Sequence, residues 1–201
     1  MNVDYFVNKL PEKSLHRNTI QMARGAVARF SREVADIKSD RRFTAAGHAE
    51  KIKAAAETAL PYFADLRALQ ANDRRALERR QAEIKLEPVD RKDHWAEHRA
   101  REARDFLRTI PLHERQRLAL AAPEFAAAIL NAPPALTGID GDFRERLAQV
   151  ELERLFGADE LQAIAEESKA LDVVDEALKV TQEQFLREAG MSNTKPESVA
   201  A

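Results

Sequence analysis

Residues 14–38 read SLHRNTIQMARGAVARFSREVADIK, and the spacing of their apolar members decides the fold class. Ile20, Ala23, Val27, Phe30, Val34 and Ile37 recur at alternating intervals of three and four. That interval keeps one stripe of a helix facing a neighbour, the pattern of a helical hairpin or coiled coil. Ser14 stands where an N-cap is expected. Gly25 lies within the helix but off the stripe. There it either costs about 1 kcal/mol relative to Ala or admits close approach of a neighbour.

The same pattern extends along the chain. A second helical stretch is expected from about Thr44 to Lys85, with a stripe of Ile52, Ala56, Leu60, Phe63, Leu66, Leu69, Leu77 and Ile84. Pro61 lies in its middle and is expected to kink or divide it, because proline lacks the N–H that a helix interior requires. Beyond Leu69 the stripe thins, with Asp73 and Arg80 where apolar residues are due. This 66–85 stretch reads as a charged arm that projects or receives a partner.

LEPVD, residues 86–90, is the expected subdomain boundary, and Asp90 is the expected N-cap of the helix that follows. Thr109 and Pro111 mark the start of a short helix, and Pro123 the start of another. Asn131, Pro133 and Pro134 stop it. Asp142 with Glu145 suggests a capping box for a helix whose Phe143, Leu147, Val150 and Leu155 face inward. Gly157 ends that helix. The last helix, from about Asp159 to Ala189, carries a seam of Leu161, Ile164, Ser168, Leu171, Val174, Leu178, Thr181 and Phe185 before Gly190 stops it.

The reading is therefore all-α with essentially no strand. A helical hairpin with coiled-coil character and a charged arm is expected over 1–89, a multi-helix bundle over 90–190, and a flexible tail over 191–201. Composition agrees, since 201 residues hold only 6 Gly and 8 Pro among abundant Ala, Leu, Glu and Arg. With no cysteine, disulfides, thiolate metal sites and cysteine nucleophiles are excluded. The opening MNVDYFVNKL lacks a basic segment followed by a long apolar run, so no signal peptide is expected. No stretch approaches a membrane span, and no membrane partner is expected. The expected location is the cytoplasm of a bacterial host, with incorporation into a virion as a further expectation.

Net charge is −2, but it is unevenly distributed along the sequence. Residues 1–122 carry 25 Lys+Arg against 18 Asp+Glu, and residues 123–201 carry 7 against 16. Such asymmetry serves head-to-tail association, an acidic partner, or attraction between halves of one molecule.

HWAEH, residues 94–98, has the form H-x-x-E-H and resembles the metal-binding motif of the inverted zinc peptidases. The resemblance implies His94 and His98 as ligands and Glu97 as the base, with Glu176 at a spacing close to that of the family's third ligand. It covers only these residues, and that family has large α/β domains. On a helix, Trp95, Ala103, Phe106 and Ile110 define the expected apolar face. His94 and Glu97 fall nearly opposite it and His98 at its border. A zinc hydrolase is thus the remote alternative, and neither a metal nor another cofactor is expected.

Paired arginines at 41–42, 74–75 and 79–80, with Lys85, Arg91, Lys92, Arg99, Arg101 and Arg104, form a face suited to phosphates. Interleaved Asp73, Glu78, Glu83, Glu97 and Glu102 suit exposed pairs with these same cations. A nucleic-acid-associated regulator or packaging factor is the second reading.

PEFAAAILNAPPALTG, residues 123–138, following LRTIPLHERQRLAL, resembles a segment of small, uncharacterised helical proteins encoded among bacteriophage and prophage structural genes. The resemblance covers about residues 100–140 and implies a virion or assembly role, without catalytic residues. The leading expectation is a non-enzymatic assembly protein that meets a protein partner or a second copy of itself through helices. Leu66, Leu69, Arg74, Arg75, Leu77, Arg79, Arg80, Ile84, Leu136 and Ile139 are the candidate contacts.

Overall fold

A computed structural model describes residues 3–12, 14–86 and 93–191. Most of these are helical, with no strand among the described residues. In chain order the helices are α1 (Val3–Lys9), α2 (Leu15–Ser39), α3 (Ala45–Glu83), α4 (His94–Thr109), α5 (Leu112–Ala121), α6 (Pro123–Leu130), α7 (Pro134–Thr137), α8 (Gly141–Phe156) and α9 (Ala158–Glu188). The described residues of Met1–Glu78 and Ala165–Ala201 form one compact unit, and Arg79–Ile164 a second. This grouping differs from the expected division at 89/90. Most of α9 packs with the N-terminal helices, so the C-terminal half of the sequence is shared between the units. The expected tail, apart from Met191, lies outside the described residues, as does Asp90.

The first unit is a three-helix core with α1 packed on it. From α2 come Ile20, Ala23, Val27, Phe30 and Val34, the expected stripe, all buried. Ile37 packs at its edge. From α3 come Ile52, Ala56, Phe63 and Leu66, and from α9 Val174, Ala177, Leu178 and Phe185. The Phe185 ring lies 4.3 Å from that of Phe30 and 5.0 Å from that of Phe63, centroid to centroid. One aromatic cluster thus joins all three helices. Along α9 the expected seam is buried at Ile164, Leu171, Val174, Leu178, Thr181 and Phe185. Thr181 tolerates complete burial because its Oγ1 donates to the Ala177 carbonyl at 2.6 Å.

Two details of α3 depart from the expected pattern. It runs as one helix through Pro61, which sits on an exposed position where water can reach the freed carbonyl one turn back. Gln70, not Leu69, occupies the inward slot after Leu66. Gln70 is buried while Leu69 is 53% exposed. The Gln70 Nε2 donates to the Leu171 carbonyl of α9 at 2.9 Å, which is how an amide occupies an apolar slot.

The second unit packs shorter helices around Leu107, Ala119, Ala126, Ile129, Ile139, Phe143 and Leu147. Short helices leave a large share of their carbonyls without helical partners, and here arginines supply the donors. The Arg144 guanidinium donates to the carbonyls of Ile129 (2.5 Å), Leu130 (3.0 Å) and Ala132 (2.9 Å) at the end of α6. Arg115 donates to Ile110 and Thr137, Arg108 to Leu136, and Arg154 to Leu120. The planar five-donor fork of arginine lets one side chain serve several carbonyls at once.

The helix starts also correct the sequence reading. Asp93 caps α4, its carboxylate accepting from the Ala96 N–H at 2.9 Å. Asp140, not Asp142, caps α8, accepting from the Phe143 N–H at 2.7 Å. Pro111 takes the N-cap position of α5, and the Thr109 hydroxyl instead donates back to the Phe106 carbonyl. Gly157 (φ +88°) and Gly190 (φ +67°) end α8 and follow α9 in conformations that favour glycine.

Candidate functional site

Three of the expected contact residues are buried. Leu66 and Leu77 are core residues of the first unit, and Ile139 belongs to the core of the second. Ile84 is half-buried, whereas Leu69 and Leu136 are exposed. Three of the four arginines of the expected arm are engaged within the chain. Arg74 reaches Asp172 at 2.7 Å and Asp175 at 2.6 Å on α9, and these two carboxylates raise its pKa. Arg80 reaches Glu160 at 2.8 Å, and Arg75 bonds Asn72. Arg79 is exposed. The 66–78 stretch is therefore ion-paired and packed in the first unit, because its thin apolar stripe is completed by Gln70 and charge pairs. It does not project as a bare arm.

The histidine motif is dispersed on solvated surface. His94, Glu97 and His98 are all exposed. Glu97 is held by Arg104 at 2.7 Å, and the His98 ring faces Glu102 at 3.6 Å. Glu176 is an exposed residue of the first unit, whereas the motif belongs to the second. Among the described residues, no group of three or more His, Cys, Asp or Glu side chains is placed to hold a metal.

The expected apolar face of α4 is also corrected. Leu107 is its buried residue, with Ala96, Ala100, Ala103 and Arg104 half-buried beside it. Trp95 is 77% exposed, and Phe106 is exposed while stacking on Phe125 at 5.9 Å. Tryptophan here does not mark the inward face, because three alanines, one leucine and the Arg104 stem already fill it.

Several residues of the basic clusters are similarly committed. Arg42 forks onto Asp40, with contacts of 2.6–3.1 Å, and holds that carboxylate's pKa down to about 2. Arg104 pairs with Glu97 and Arg101 with Asp105. Arg91 and Lys92 lie outside the described residues.

The second unit contains an open cleft of about 840 Å³ that the sequence reading missed. Pro123, Ala127, Leu130 and Asn131 of and beside α6 form one wall. Ala148, Glu151, Leu155 and Phe156 of α8 form another, and Glu83, Lys85 and Leu86 line the rest. Leu155 was expected to face inward but is 63% exposed. The buried stripe of α8 runs Phe143, Leu147, Glu151 at intervals of four; Leu155 continues that spacing in the last turn of the helix, where it lines the open cleft. Glu151 is nine-tenths buried, and its carboxylate accepts from the Arg154 Nη1. The available signal was Glu151 itself, an acid in phase with the core stripe and three residues before an arginine.

Among the described residues, no helix is long and apolar enough to cross a membrane. No protein-family model, curated protein or solved structure matches the chain.

Proposed function

We propose that the protein is a non-enzymatic helical assembly component acting through protein–protein contacts of its Arg79–Ile164 unit. On the resemblance of residues 123–138, we place it as a bacteriophage virion or assembly component made in the cytoplasm of a bacterial host. One observation carries the reading. Among the described residues ten large hydrophobic side chains are exposed, and seven belong to this unit: Trp95, Phe106, Leu112, Leu120, Leu136, Leu155 and Phe156. Concentrated exposed apolar surface marks interaction sites, and aromatic residues are the usual anchors of interfaces. The arginine-rich alternative has less support, since Arg42, Arg74, Arg80 and Arg104 of that face already hold carboxylates within the chain.

Photo-cross-linking from position 95 in the producing cell tests this reading, with Glu57, exposed on the first unit, as the control position. A discrete protein adduct from position 95, stronger than from position 57, is expected. Equal or absent adducts from the two positions reject the assembly role.

A further inference from the structure

The cleft deepens the assembly reading and rests on it: we infer that it is a self-association surface, occupied by a second copy of this chain across a two-fold axis. An isologous interface needs one patch that is complementary to itself. Here projection and hollow share the patch. Leu155 and Phe156 line the cleft, yet remain 63% and 37% exposed at the end of α8. In the dimer these two side chains of each copy enter the cleft of the other, against the apolar wall set by α6.

The charges suit the same occupant. Glu83 and Lys85, both exposed, stand two residues apart on the cleft lining. A two-fold axis pairs Glu83 of each copy with Lys85 of the other, so the lining supplies its own complement. The buried carboxylate, Glu151, is already met by Arg154, and an entering apolar side chain therefore strands no unpaired charge. A net charge of −2 adds little repulsion between copies.

Sedimentation equilibrium of the full chain, with its 22.6 kDa monomer mass, tests the proposal. The unmodified protein is expected to approach twice that mass as concentration rises. Leu155→Glu is expected to raise the dissociation constant by about 30-fold or more, as for a central interface residue, with an unchanged thermal melt at a dilution where both proteins are monomeric. Glu83→Lys and Lys85→Glu are each expected to weaken the dimer by about tenfold, and the double variant is expected to recover it. A monomer at all concentrations, a dimer indifferent to Leu155→Glu, or a double variant no better than the singles overturns the inference. A monomeric chain that still gives the position-95 adduct sinks self-association alone and leaves the assembly role standing.

Discussion

Asp40 shows how far one residue can be shifted by its neighbour. At the turn between α2 and α3 its carboxylate accepts from the Arg42 side chain and the Arg42 backbone N–H. These hydrogen bonds favour the charged form and bring its pKa from 3.8 to about 2. The folded value is the lower one, so the contribution is complete above about pH 4 and is lost as pH falls from 3.8 through 2. A carboxyl-carbon NMR titration should place the Asp40 midpoint near 2, and Arg42→Ala should return it toward 3.8. Gly25 gives a second test. A Cβ built there meets only the Arg29 guanidinium, at 3.9 Å, so no neighbour requires the glycine. Gly25→Ala should raise the unfolding free energy by about 1 kcal/mol in urea titration. Gln70 gives a third. Its Nε2 is bonded, but its buried Oε1 has no hydrogen-bond partner among the described residues. Gln70→Leu should therefore stabilise the protein by about 1 kcal/mol, and a loss of stability would show that the amide contributes more than its one bond suggests.

At the scale of elements, the long helices were legible and the caps were not. The stripe of α2 and the seam of α9 repeat over several turns, and nearly all their members are buried. A cap depends on one dihedral angle and one hydrogen bond, so neighbouring aspartates compete on nearly equal terms. Asp140 and Asp142 are such a pair, and Asp140 makes the bond. Asp140→Ala should cost about 1 kcal/mol of stability, while Asp142→Ala, at an exposed first-turn position, should cost less than half of that. Equal losses would restore the capping box first expected at Asp142. The candidate site was hidden for a related reason. Leu155 keeps the spacing of the inward stripe, but in the last turn of α8 it borders the open cleft and stays exposed, which no local spacing reveals.

For the molecule as a whole, the decisive event is the return of α9. Along the sequence, positive charge precedes negative, but the fold removes most of that imbalance. Residues 1–78 and 165–201 carry 18 Lys+Arg and 18 Asp+Glu, and residues 79–164 carry 14 and 16. Arg74 with Asp172 and Asp175 is the local expression of this balance. The expected 1–89 domain also lacks Val174, Ala177, Leu178 and Phe185, which complete the core of α2 and α3. A fragment of residues 1–89 should therefore show no cooperative thermal transition by circular dichroism, and a sharp melt would reinstate the boundary at 89/90. Periodicity and composition by themselves determined the all-helical class, the extent of α2 and α9 and the residues of their seams, because these depend on residues three and four apart. Only the tertiary structure decided that α9 completes the N-terminal core, that the arginines serve carbonyls and carboxylates inside the chain, and that a cleft opens beside Leu155. Those outcomes depend on contacts between residues tens to a hundred positions apart, whose pairing no local spacing encodes.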